Sequence, residues 1–95
     1  MNQLHLTACI AELAPLRYTP AGLPALDLVL EHESTLTAIE GPRQVRANIR
    51  ALALAATAER LARQELGSLW RFSGFLSTPR RGRHVVLNIQ DFQQD

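Results

Sequence analysis

What most constrains this chain is a period of two. In Trp70-Arg71-Phe72-Ser73-Gly74-Phe75-Leu76, the side chains of Trp70, Phe72 and Leu76 fall on one side, and those of Arg71, Ser73 and Ser77 on the other. Val85, Leu87 and Ile89 alternate in the same way with Val86, Asn88 and Gln90. Strict alternation marks a half-buried strand, so the last third predicts a hairpin with one face in a core. Its loop, Thr78-Pro79-Arg80-Arg81-Gly82-Arg83-His84, carries three of the ten basic side chains. Guanidinium groups at a mobile hairpin tip are placed to reach phosphates.

The same period recurs upstream. Leu4, Leu6, Ala8 and Ile10 alternate with Gln3, His5, Thr7 and Cys9, which predicts a first strand from about Gln3 to Leu13. Thr19-Pro20-Ala21-Gly22 has Pro second and Gly fourth, the type I turn arrangement. Leu26, Leu28 and Leu30 then alternate with Asp27, Val29 and Glu31 in a second strand. The polar stretch from Glu33 to Arg43 contains Gly41-Pro42 and reads as a loop. A third strand, from Gln44 to about Leu52, sets Val45, Ala47, Ile49 and Ala51 against Gln44, Arg46, Asn48 and Arg50.

One segment breaks the alternation. From Ala55 to Leu66 the chain is rich in Ala, Leu, Glu, Arg and Gln, all strong helix formers. Thr57 is placed to cap its start, Glu59 to favour its first turn, and Gly67 to follow its end. The order is therefore three strands, a helix and two strands. This predicts an all-β fold, a five-stranded OB-fold barrel with one short helix between strands 3 and 4, an architecture often used on oligonucleotides. No repeat or linker divides the chain, so residues 1–95 are expected to form a single OB-fold domain.

Composition limits what such a barrel could do. At 95 residues with 46% hydrophobic content, the chain can build one core, and a domain of this size often gains from oligomerisation. No apolar run approaches the ~18 residues of a membrane span, and the first sixteen residues hold no Lys or Arg for a secretory signal. The lone Cys9 excludes an intramolecular disulfide. A cytoplasmic protein with no membrane contact is expected. The net charge of +1 argues against diffuse polyanion binding, so nucleic-acid affinity has to come from charge placement. All ten basic residues are Arg, which genome composition alone would also produce. Arg80, Arg81 and Arg83 crowd one loop, and Arg43, Arg46 and Arg50 crowd one strand.

Particular segments resemble a known family. Met1-Asn2-Gln3-Leu4 with Leu16-Arg17-Tyr18-Thr19-Pro20-Ala21-Gly22-Leu23-Pro24 resembles the first hairpin of bacterial single-stranded DNA-binding proteins. Ala58-Glu59-Arg60-Leu61-Ala62 followed by Leu66-Gly67-Ser68 is similar to their short helix and its exit. Such proteins usually continue into a Gly/Gln-rich linker and an acidic tail, which this sequence lacks. The short length, Ala14-Pro15-Leu16-Arg17, Leu30-Glu31-His32 and Gly74-Phe75-Leu76-Ser77 resemble the primosomal replication protein N (PriB) family. The resemblance implies a homodimeric OB-fold that binds single-stranded DNA and bridges the PriA helicase and DnaT in replication restart, without catalysis. It assigns DNA contact to Arg80, Arg81 and Arg83 and to Arg46 and its neighbours. Where some members place an exposed aromatic on the third strand, this chain has Arg46, so weaker DNA binding is expected.

The candidate nucleic-acid contacts are Arg17, Tyr18, Arg43, Arg46, Asn48, Arg50, Arg71, Arg80, Arg81 and Arg83. Plainer readings stand beside them. Tyr18 is either a base-stacking residue or an ordinary turn aromatic. The loop arginines are either phosphate contacts or a solvated edge that discourages strand aggregation. Trp70 and Phe72 lie on the apolar face and are assigned to the core. Phe75 faces outward and serves either a dimer contact or a DNA contact. His5, His32 and His84 fall on three separate elements, and His5 with Cys9 offers at most two metal ligands where structural zinc takes four. With neither a Ser/His/Asp spacing nor a glycine-rich phosphate loop, no catalytic residue, metal or cofactor is assigned. Two classes remain: a direct single-stranded DNA binder, or mainly a protein adaptor with weak DNA binding.

Overall fold

The alternating segments become strands whose apolar sides meet. The computed structural model describes residues 1–94; Asp95, the last residue of the expected domain, lies outside them. Along the chain run β1 (Leu4–Leu13), β2 (Arg17–Tyr18), β3 (Pro24–Ala38), β4 (Gly41–Leu54), α1 (Ala55–Ala62), β5 (Leu69–Ser77) and β6 (Val86–Gln93). Antiparallel pairs β1–β3, β3–β4, β5–β6 and β1–β5 and the parallel pair β4–β6 close the five long strands into a barrel. The two-residue β2 pairs only with β3. This is the expected OB-fold, with the helix between the third and fourth long strands.

Ile10, Leu30, Phe72 and Leu87 have no exposed surface, and Ala58 and Leu61 bring α1 against the same core. Each fully buried side chain of the larger kind contributes about 1.5–3 kcal/mol relative to exposure. Two bulges extend the core beyond what a period of two shows. In β1, Ile10 faces Leu30 but Glu12 faces Val29, so Ala11 is the extra residue and Leu13 returns to the core side. In β6, Ser73 faces Asp91 while Gly74 faces Ile89, which leaves Gln90 extra. Phe92 thereby turns inward, 5.0 Å edge-on from Trp70 and 6.3 Å from Phe72, with the Arg60 guanidinium 4.5 Å above its ring. Gly74 sits where this bulge presses the strands together. A Cβ there would be driven into the backbone carbonyl of Asn88.

Several expectations need correction. The stretch from Glu33 to Arg43 is not a loop. β3 continues to Ala38 and β4 begins at Gly41, so His32 to Ala38 pair residue by residue with Ala47 to Gly41. Interstrand hydrogen bonds hold this ribbon although neither face has a core to cover, and Gly41, at φ 114°, takes up the tight turn after Ile39-Glu40. The ribbon accounts for the elongated 51 × 29 × 21 Å envelope.

The helix is also shorter than its composition suggests. It ends at Ala62, capped at Arg63, and the Gln64 Nε2 donates to the Arg60 carbonyl at 3.0 Å. Leu54, not Thr57, is the N-cap and offers no side-chain bond; Glu59 lies past the first turn, which holds no acid. Ala55 enters the helix at φ 57°, a left-handed value unusual for a residue with a Cβ. Gly67, at φ 85°, belongs to the approach to β5, where its N–H donates to the Ile10 carbonyl at 2.7 Å. Val85 stands outside β6 and is 53% exposed. The Thr19–Gly22 turn forms as expected, closed by the Gly22 N–H on the Thr19 carbonyl at 2.8 Å.

Candidate nucleic-acid interface

Alternation along β4 sends Arg46, Asn48 and Arg50 to one side of the sheet, followed by Leu52. On the same side β3 presents Glu33 opposite Arg46, Glu31 opposite Asn48, Val29 opposite Arg50 and Asp27 opposite Leu52. A stripe of acids therefore runs beside the stripe of cations. Arg46 Nη2 lies 3.4 Å from Glu33 Oε1, which also accepts from Gln44 Nε2. Arg50 faces an aliphatic neighbour and holds no ion pair among the described residues. Arg43 pairs with Leu36 near the ribbon tip. An odd spacing from Arg46 puts it on the opposite side of the ribbon, so the structure does not gather all three strand arginines.

The parallel pairing of β4 with β6 extends the outward face. Leu52 lies beside Asn88, and Asn88 beside Phe75 of β5. Asn88 Nδ2 donates to Ser77 Oγ at 2.7 Å and to the carbonyls of Phe75 and Val86 at 3.3 Å, which fixes the amide between two hydrophobic neighbours. Leu54, Thr57 and Gln90 complete an open groove of about 300 Å³ around this row. Phe75, 37% exposed, offers a ring on which a flat base can stack. Sequence reading placed Phe75 and Asn88 on the outside but did not join them to Leu52, because the parallel register of non-adjacent strands leaves no local trace.

The basic loop begins where this shelf ends, at the Ser77–Val86 pair. Pro79 and Gly82 close its turn through an N–H···O bond of 2.9 Å. Arg80, Arg81 and Arg83 are exposed and hold no ion pair among the described residues. Arg17 is differently situated: its Nε and Nη2 fork onto Asp27 Oδ2 and Oδ1 at 2.7 and 3.2 Å. The hydrogen bond that Arg17 donates to Asp27, and then the charge of Asp27, raise the Arg17 pKa above the ordinary arginine value. Its charge is therefore already matched. Tyr18, 65% exposed, stands beside it on β2, opposite Pro24. Arg71 aligns with Thr7 and Gln93, at the far end of β5 from the loop, and is not brought to the β4 face. Among the described residues no three His, Cys, Asp or Glu side chains are grouped to hold a metal ion.

A profile described as another single-strand binding protein family matches residues 2–91. Replication restart protein PriB of Bordetella pertussis is 44% identical over 91 residues, covering 95% of this chain and 85% of its own length. The chain belongs to the single-strand binding protein family, in its PriB branch. A PriB of Neisseria meningitidis serogroup B is 36% identical, with 98% and 93% coverage. The solved PriB structure from Ralstonia solanacearum superposes with a TM-score of 0.88 at 31% identity, over 99% of this chain and 97% of that one. The single-stranded DNA binding protein of Thermus aquaticus superposes at 0.80 with 27% identity, over 98% of this PriB-branch chain and 49% of its own. These likenesses cover the barrel, the ribbon and the basic loop together.

Proposed function

We propose that this chain is a cytoplasmic accessory protein of replication restart that binds single-stranded DNA across the outward faces of β4, β6 and β5. One observation carries the reading. Arg50, beside Val86, and the loop arginines Arg80, Arg81 and Arg83 gather along one border of the exposed Phe75–Asn88–Leu52 row, while Asp27, Glu31 and Glu33 line β3 beyond β4 and Asp91 of β6 is taken up by Arg60. Cations hold the phosphate path and the ring takes a base, a combination that suits unpaired strands because duplex bases are already stacked. The names of the relatives support the replication-restart role. Polarisation titrations with labelled single-stranded and duplex oligonucleotides at two salt concentrations test it. Preference for the single strand with a steep salt dependence is the expected result, and equal affinity for both would overturn it.

An adaptor role beside DNA binding, between DNA and the PriA helicase and DnaT, is supported by a second observation. Glu33 and Asp27 already engage Arg46 and Arg17, and β4 presents no outward aromatic, so the DNA affinity of one copy is modest. A homodimer would double the basic loops. Leu4 to Cys9 pair with β5 along one edge, but pairing with β3 begins only at Cys9 and the Thr7 carbonyl meets the His32 ring at 2.7 Å, which leaves the other edge of β1 before Thr7 open to a second copy. Light scattering at tens of micromolar should return twice the chain mass; a monomer would exclude this assembly.

A further inference from the structure

The barrel has two ends, and α1 closes only one. Ala58 and Leu61 fill the end where β4 and β6 finish. At the other end, where β1 and β6 start and β5 stops, a pit of about 470 Å³ stays open. Leu4, Ile49, Leu76 and Val85 form its walls, and Arg50 and His84 stand at its rim. Leu4 and Ile49 rest on the core, whereas Leu76 and Val85 are 38% and 53% exposed. The side-chain amide of Asn2 pairs with both backbone groups of Leu76, at 2.6 and 2.9 Å, and holds this lip in place.

The chemistry of the pit selects its occupant. Its walls are aliphatic, and the one ring among its described lining residues, the His84 imidazole, stands at the exposed rim, so the interior of the pit gives a nucleobase no face to stack upon. An apolar side chain fits it, and the volume is in the range of a ligand cleft. Among the described residues no acid lines the pit, and the cationic loop from Arg80 to Arg83 runs directly into His84 and Val85. Arg50, Arg80, Arg81 and Arg83 hold no ion pair among the described residues, so their charges are available to a ligand.

We infer that the open mouth of the barrel docks an acidic segment of a protein partner, which inserts one bulky apolar side chain between Leu76 and Val85. Its flanking carboxylates meet Arg50 and the loop arginines. The inference adds the pit to the proposed function, shares Arg50 and the loop arginines with the proposed phosphate path, and stands whether or not the Phe75 shelf binds DNA.

The test uses three fluorescent probes: a short peptide with one phenylalanine among glutamates, the same peptide with alanine instead, and oligo-dT. The phenylalanine peptide should bind roughly tenfold more tightly than its alanine counterpart, as burial of a large side chain implies. Val85→Ser and Leu76→Asn, each confirmed folded by circular dichroism, should weaken the phenylalanine peptide at least fivefold and leave oligo-dT within twofold. Phe75→Ala should show the reverse pattern. No peptide binding, equal binding of the two peptides, or an equal loss of peptide and oligonucleotide in the Val85 and Leu76 variants would overturn the inference, the last assigning the mouth to DNA.

Discussion

Arg46 and Glu33 face each other across the β3–β4 ribbon, 3.4 Å apart, with Gln44 donating to the same carboxylate oxygen. An exposed pair of this kind adds at most ~1 kcal/mol to stability, but it withholds an arginine from phosphate. Glu33→Gln should therefore tighten single-stranded DNA binding up to about fivefold and steepen the salt slope by about 0.7. Polarisation titration across a salt series measures both, and an unchanged slope would mean that Arg46 touches no phosphate.

Phe75→Ala removes the ring from the outward shelf while leaving Leu52 and Asn88 in register. One lost stack corresponds to ~1–3 kcal/mol, so oligo-dT affinity should fall about tenfold with little change in salt slope. A loss confined to the slope would instead point to disturbance of the neighbouring loop.

Arg80→Ala, Arg81→Ala and Arg83→Ala combined should weaken single-stranded DNA binding and leave the melting temperature unchanged, because all three are exposed and outside the strands. Loss of about two phosphate contacts flattens the slope of log affinity against log salt by ~1.4. If the slope holds, the loop lies off the DNA path.

Gly74→Ala should be costly to the fold itself. The added methyl group meets the Asn88 carbonyl beside the Gln90 bulge, and the strands have to separate to admit it. Overpacking of this kind costs about 1–3 kcal/mol, which circular dichroism would record as a melting temperature lowered by roughly 4 °C or more. An unaltered melt would mean that the bulge yields freely.

Ala55→Gly should act in the opposite direction. Ala55 holds φ 57°, where a Cβ costs roughly 1–2 kcal/mol. Relief of that strain should raise the melting temperature by several degrees, less the extra freedom glycine gains in the unfolded chain. A lower melting temperature would show that the entropy outweighs the strain.

The barrel was legible in the sequence because its strands bury one side. Leu26, Leu28 and Leu30, or Leu87 and Ile89, can alternate only if a core faces them, and the Ala-rich run between strands has no such period. The ribbon was hidden for the complementary reason. Thr35 and Gln44, or Ser34 and Val45, pair through backbone hydrogen bonds that place no demand on side-chain polarity. Phe92 escaped because a one-residue bulge reverses the alternation, and bulges have no compositional mark. At the candidate site, the β4 row Arg46, Asn48, Arg50 could be read directly. The Arg17–Asp27 fork, the wrong-sided Arg43 and the distant Arg71 depend on strand register, which appears only once the sheet is closed.

The adjacent stripes of acid on β3 and arginine on β4 make a short electric dipole rather than a basic patch. Beyond a screening length of about 8 Å at physiological ionic strength, the two stripes cancel toward the net +1 of the whole chain. A distant polyanion feels little pull, so arrival is governed by diffusion and orientation, with association rates nearer ~10⁵–10⁶ M⁻¹s⁻¹ than those of strongly steered pairs. Selectivity is then settled after contact, in dwell time. Added salt should shorten the residence of a strand on the arginine side far more than it slows its capture.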